Sequence, residues 1–238
     1  MKHPLPALAF TLAFLVCTAS QMALADVTLV QVQTNSYKQS NGKYATIGGC
    51  NKTIVYMQAD RERTDTYLPN SNQADKTVID DAIAGREIVI LWSKHEFSTT
   101  SVKFNRNKTY AGDPTEPTST SSFGFGMNLI VTPTNRYKTI LGHWARLYIV
   151  RISGEIKKTM GDIDIWAAAD LPSSLGDEVV GSTDFPVRGT MLEQRAWMNK
   201  PAAILDVRSA SISYNALPQS LFDIPHGLTR VATGSQQL

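Results

Sequence analysis

Along most of this chain apolar side chains recur at every second position, the period of a strand with one face turned to a core. Asp162-Ile163-Asp164-Ile165-Trp166-Ala167 shows the pattern most cleanly. Its two isoleucines share one face, and the aspartates share the other with Trp166. β-branched or apolar runs predict further strands over Val27–Thr34, Lys52–Ala59, Glu87–Ser93, Ser98–Phe104, Asn128–Thr132, Tyr137–Leu141 and Trp144–Ile152. Ile204–Tyr214 continues the series, with a bulge expected near Ser209, where the apolar parity shifts.

Two segments depart from this period and predict helices. In Asp75–Ala84, residues Val78, Ile79, Ala82 and Ile83 fall at helical spacing ahead of Gly85, a good terminator. Asp184–Asn199 carries Met191, Leu192, Ala196, Trp197 and Met198, and Pro201 follows as a stop. An amphipathic helix must bury its stripe, and a neighbouring sheet is the nearest place to do so. The expected fold is therefore mainly β, with about two helices packed on a sheet.

The first residues follow a different logic. Lys2 and His3 precede an apolar run from Leu5 to Val16, and Ala23-Leu24-Ala25 is a small-x-small cleavage signature. Residues 1–25 read as a cleaved signal peptide, and 26–238 as one exported domain. The apolar run is too short to span a bilayer comfortably. Cys17 leaves with the leader, and Val16 before it spoils a lipid-attachment site. Cys50 then stands alone, so the remaining chain has no internal disulfide and must rely on burial. Cys50 reads as a buried inert thiol, or as a partner in an intermolecular disulfide.

Removing residues 1–25 from 238 leaves 213, with 22 basic residues against 21 acidic. That balance argues against a nucleic-acid partner, and no second apolar stretch is long enough to cross a membrane. No catalytic constellation emerges. His95, His143 and His226 form no metal-ligand pair, and His95-Glu96 lacks the second histidine of a zinc protease. A lone cysteine excludes a thiolate metal site within one chain. No serine sits in a Gly-x-Ser-x-Gly turn, and Gly124-Phe125-Gly126 lacks the third glycine and the βαβ setting of a dinucleotide loop. Asp162 and Asp164 read as solvated acids. Asp60-Arg61-Glu62-Arg63-Thr64-Asp65 reads as a charged edge strand. Asn51-Lys52-Thr53 and Asn107-Lys108-Thr109 are glycosylation sequons in a host that uses them. No catalytic residue, metal or cofactor is assigned.

The Pro/Ser/Thr-rich stretch from Gly112 to Gly126 reads as a surface loop. Within it, Phe123 and Phe125 between glycines are candidates for a flap over an apolar cavity.

Four stretches in order carry a resemblance. Tyr56–Thr64 (YMQADRERT) is similar to a strand pair of the lipoprotein carriers LolA and LolB. Ile140–Tyr148 (ILGHWARLY), then Asp164-Ile165-Trp166 with Asp170-Leu171-Pro172, then Leu217–Gly227 (LPQSLFDIPHG), resemble motifs of an uncharacterised exported bacterial family with that fold. Trp144 stands where the family often has cysteine, so a role of that thiol does not transfer. The resemblance implies a strongly curved antiparallel sheet, an unclosed half-barrel, with helices on its concave side. It also implies a periplasmic carrier whose cavity holds a lipid or acyl group. Trp144 and Trp197 join the two phenylalanines as candidate ligand-binding side chains. The alternative class is an envelope structural or protein-interaction protein without a ligand. A hydrolase comes third, and would require His143 or His226 to cluster with a carboxylate and a serine.

Overall fold

The computed structural model describes residues 26–46, 49–104, 119–123, 127–175, 187–199 and 202–232. Their strands are β1 (Val27–Lys38), β2 (Tyr44–Thr46), β3 (Asn51–Met57), β4 (Arg61–Tyr67), β5 (Lys76–Asp81), β6 (Arg86–Leu91), β7 (Glu96–Ser101), β8 (Ser119–Phe123), β9 (Met127–Ile140), β10 (His143–Ser153), β11 (Met160–Ala168), β12 (Thr190–Asn199), β13 (Ala202–Ser213) and β14 (Thr229–Arg230).

They form one sheet in the order β14-β7-β6-β5-β4-β3-β1-β13-β12-β11-β10-β9-β8, with β2 beside β1. Most neighbours are successive antiparallel strands, so short turns suffice to connect them. β1 is the seam, pairing with β3 on one side and β13 on the other. Only β14 runs parallel to its neighbour, β7. The path ends at β14 and β8, so the sheet is unclosed.

The sheet is also curved. β4 and β11 lie five places apart in the order, roughly 24 Å in a flat sheet at the usual strand spacing. Yet Thr64 of β4 and Ile165 of β11 line one cavity, so the sheet wraps round it.

Register decides which side chains face that cavity. Val27, Leu29 and Gln31 stand opposite Met57, Val55 and Thr53, and Met57 and Val55 stand opposite Glu62 and Thr64. Farther along the same face, Val131, Val150, Ile163, Ile165 and Ala196 make a buried cluster. Val27, Leu29, Met57, Ala145, Leu171 and Leu192 make a second. The opposite face of β5 and β6 has its own core. There Ile79, Ile88 and Ile90 are fully buried beneath Phe222, Leu217, Leu221, Ile224 and Leu228 of the C-terminal segment. Each fully buried side chain of this size contributes about 1.5–3 kcal/mol.

Neither expected helix exists as such. Asp75–Ala84 instead supplies β5 and the turn into β6. Thr77 and Ile79 point to the C-terminal core, and alternation overrides the helical spacing of Val78, Ile79, Ala82 and Ile83. Gly85, at φ +62°, serves the hairpin turn rather than a helix end. Within Asp184–Asn199, residues 184–186 lie outside the described residues, and Thr190–Asn199 is β12. Leu192 and Ala196 are its buried face, and pairing with both β11 and β13 satisfies its backbone. Among the described residues no helix reaches seven residues. Those whose full extent is described are the 3-10 turns Trp92–Lys94, Glu155–Lys158 and Gln219–Phe222.

Two further readings change. Asp60–Asp65 is not an edge: β4 lies between β3 and β5, and Glu62 and Asp65 are buried there because each is hydrogen-bonded. Cys50 is exposed rather than buried. The expected bulge in β13 is present, since Val30 pairs with Ser211 and Gln31 with Ser209, leaving Ala210 extra.

Candidate functional site

The cavity on the wrapped face measures about 260 Å³. β1 contributes Leu29 and Gln31, β3 contributes Thr53, Val55 and Met57, and β4 contributes Glu62 and Thr64. Ile165 closes the far side, with Thr190, Met191 and Gln194 of β12. Val187 and Ser174 complete it. Several polar atoms in this lining are engaged: Gln31 Nε2 donates to the Met191 carbonyl at 2.8 Å. Glu62 is buried and accepts from Ser174 Oγ and the Leu175 N–H, both at 2.8 Å.

A strap of six residues, Asp170–Leu175, runs beside this cavity and is pinned along its length. Asp170 Oδ2 lies 2.8 Å from His143 Nδ1. Leu171 is buried in the cluster shared with Leu29 and Met57. The Pro172 carbonyl accepts the Thr190 hydroxyl, and Ser173 Oγ accepts the Gly189 N–H at 3.2 Å. Ser174 and Leu175 end on Glu62. The strap begins with the Asp170-Leu171-Pro172 motif, so the motif is structural: Leu171 enters the core and the Pro172 carbonyl holds Thr190 at the start of β12.

The sequence candidates occupy several places. Phe123 pairs with Met127 at the end of β8, and Phe125 lies outside the described residues. Trp144 is 62% exposed on β10 and stacks on Tyr137, ring centroids 5.7 Å apart. Trp197 is half-buried on β12, opposite Ile204. Neither tryptophan is among the cavity-lining side chains. Glu62, Gln31 and Thr190 were not singled out from the sequence. A carboxylate inside an otherwise alternating strand was the available signal, and the neighbouring arginines disguised it as a solvated charge.

His143 does meet a carboxylate, but its other nitrogen, Nε2, lies 2.5 Å from the hydroxyl of Tyr214. The third group is thus a phenol where a hydrolase of the expected kind needs a serine. Partial desolvation, and then the Asp170 charge, raise the pKa of the Tyr214 phenol above its ordinary value, although the residue is half exposed. His226 is exposed. No group of three or more His, Cys, Asp or Glu able to hold a metal occurs among the described residues.

On the opposite face, Asp164 and Trp166 share a polar groove with Lys138, Glu193, Arg195 and Asp206. Arg195 holds Asp206 through two bonds, at 2.7 and 3.1 Å, and the Lys138 ammonium lies 4.4 Å from the Trp166 ring centre. Desolvation raises the Asp164 pKa, against the opposing pull of Arg136 and Arg195. The two aspartates and Trp166 thus share the face the alternation assigned to them, with Ile163 and Ile165 buried behind.

No family model matches the chain, and no curated protein matches it. Among solved structures it is similar to an uncharacterized conserved protein from Thermus thermophilus, with 8% identity and a TM-score of 0.45 over 85% of this chain and 90% of that one. It is similar to MucB in the Pseudomonas aeruginosa MucA/MucB complex, with 13% identity and a TM-score of 0.39 over 88% of this chain and 59% of that one. A putative outer membrane lipoprotein-sorting protein domain from Vibrio parahaemolyticus also matches, with 8% identity and a TM-score of 0.32 over 82% and 89%. The likeness to lipoprotein-sorting domains drawn from the motifs is therefore present among the solved structures.

Proposed function

We propose that this protein is a non-enzymatic, carrier-like protein of the bacterial envelope that holds an acyl chain in the cavity between β1, β3, β4, β11 and β12. The leader at residues 1–25 supports export, and the periplasm of a double-membraned bacterium is the compartment that suits such a carrier. The observation that carries the reading is the cavity itself, walled by Leu29, Val55, Met57, Ile165, Val187 and Met191. Gln31, Glu62, Ser174 and Thr190 of its lining are hydrogen-bonded within the protein, so these apolar walls are the main contact it offers a ligand.

At about 260 Å³ the cavity falls just below the ~300–1,000 Å³ of drug-sized pockets, which suits one slender chain rather than a whole lipid. Burial supplies about 0.8 kcal/mol per methylene, so roughly eight methylenes give a binding energy in the micromolar range before ordering costs.

The test is titration of the purified protein with dansyl-labelled undecanoic acid. Saturable enhancement of dansyl emission at one probe per chain is expected. Val55→Trp, which fills the cavity from β3, should abolish it while the thermal unfolding midpoint holds. A folded wild-type chain that leaves the probe in water would overturn the reading.

A further inference from the structure

The geometry points to the β9–β10 hairpin tip as a membrane-docking element that inserts into the headgroup region of an anionic bilayer. This rests on a different part of the molecule from the cavity and stands apart from that reading.

The hairpin outreaches its neighbour. β10 pairs with β11 only as far as Ala145 opposite Ala168, whereas its pairing with β9 continues through Trp144 opposite Thr139 and His143 opposite Ile140. The turn beyond is Leu141-Gly142, both left-handed, at φ +50° and +88°. A two-residue turn of this kind favours Asn-Gly or Asp-Gly, and a branched apolar residue at its first position is strained. The strained leucine is not spent on a core, for it is 44% exposed.

Exposed apolar surface gathers at the same end. Among the described residues eight large hydrophobic side chains are exposed, and four of them, Tyr137, Leu141, Trp144 and Tyr214, are here. Tyr137 and Trp144 are stacked 9° from parallel, which presents a flat amphipathic slab. Basic side chains stand beside it: Arg146 lies 5.8 Å from the Tyr137 ring, and Arg136, which precedes Tyr137 in β9, is exposed. The nearby acids are engaged, Asp170 by His143 and Glu193 by Lys138.

An apolar tip, two interfacial aromatics and a basic collar form the pattern that settles at a bilayer surface. A protein partner would need a pocket shaped to this protrusion, whereas lipid conforms to it. The collar selects anionic headgroups by charge. Docking would also set the strap against the bilayer, because His143 of the tip holds its first residue, Asp170.

The experiment is co-sedimentation of the purified protein with vesicles of phosphatidylglycerol and phosphatidylethanolamine. Binding is expected, weakening with salt and in pure phosphatidylcholine. Leu141→Asn relieves the turn and removes the apolar tip. It should hold or raise the unfolding midpoint while weakening vesicle binding about tenfold, from the lost apolar burial. Brominated lipid should quench wild-type tryptophan emission, and Trp144→Phe should remove that quenching. A wild-type chain that ignores anionic vesicles overturns the proposal, as does undiminished binding by Leu141→Asn together with unchanged quenching in Trp144→Phe. A photo-crosslinker at position 141 that labels an envelope protein but no lipid overturns it in favour of a protein partner. The dansyl-undecanoate titration reads the cavity alone, so the two ideas fail separately.

Discussion

The carboxylate of Glu62 on β4 accepts the backbone N–H of Leu175 at 2.8 Å, tying the end of the strap to a strand 113 positions earlier in the chain. Its second oxygen takes the Ser174 hydroxyl, also at 2.8 Å. The residue is only 5% exposed, so water cannot replace a lost partner readily. Glu62→Ala should therefore destabilise the protein by about 2–4 kcal/mol, since hydrogen bonds to a buried charge are strong and their orphaned donors costly. Glu62→Gln keeps one acceptor and should lose about half as much. Urea unfolding at neutral pH reads both, and a wild-type midpoint for Glu62→Ala would refute the anchoring role.

Thr77, fully buried on β5, stands at the centre of a relay under the C-terminal segment. Its hydroxyl donates to Asp65 at 2.6 Å and accepts from Trp92 Nε1 at 2.8 Å. Asp65 in turn accepts from Arg63, whose guanidinium donates to the Leu221 carbonyl at 2.8 Å. Thr77→Val preserves shape but strands the indole N–H, and should cost about 1–3 kcal/mol. Thr77→Ser should cost less, because the hydroxyl survives. Equal midpoints for Thr77→Val and wild type would show the relay to be energetically idle.

The strands were legible because a half-buried strand writes its burial directly as alternation, as Ile163 and Ile165 against Asp162 and Asp164 show. The β13 bulge was legible for the same reason, through a break in that alternation. The two missed strands fail in a shared way. β5 carries buried Ile79 on one face and half-buried Val78 on the other, and β12 carries buried Ala196 on one face and half-buried Trp197 on the other, with a bulge at Leu192 that shifts its parity. Filling both faces erases the period of two, and what remains mimics a helical stripe. The cavity was less legible still. Leu29, Met57, Ile165 and Met191 come from four strands, and only the curvature of the sheet brings them together. Curvature is a property of pairing order, which no local pattern encodes. The strap's role in Asp170-Leu171-Pro172 was hidden likewise, because Glu62, His143 and Thr190 are distant in sequence.

Asp164 gives a pH signature. Desolvation raises its folded-state pKa above the unfolded value of 3.8, so the folded protein holds this proton more tightly. Stability from this group is then greatest below the unfolded value and falls as pH rises through the folded one. Asp164→Asn removes that penalty. The variant should be at least as stable as wild type at pH 7, and its urea midpoint should vary less between about pH 4 and pH 6. A loss of stability at pH 7 would mean that attraction to Arg136 and Arg195 outweighs desolvation.

Gly189 and Gly227 separate backbone conformation from crowding. Both are left-handed, at φ +83° and +84°. A Cβ on Gly227 would meet nothing within 4 Å, whereas one on Gly189 would fall 1.9 Å from the Ala168 carbonyl oxygen and 2.7 Å from Ala169 Cα. Gly227→Ala should therefore cost only the conformational term, about 1–2 kcal/mol. Gly189→Ala adds a collision with backbone that no rotamer relieves, and should cost several kcal/mol more than that term. Relief requires the Gly189 backbone to withdraw from Ala168 at the foot of the strap, which would also break its bond to Ser173. Dansyl-undecanoate should then exchange faster from Gly189→Ala than from wild type, while Gly227→Ala behaves as wild type. Equal unfolding midpoints for the two variants would show that the close approach at Gly189 does not hold the strap in place.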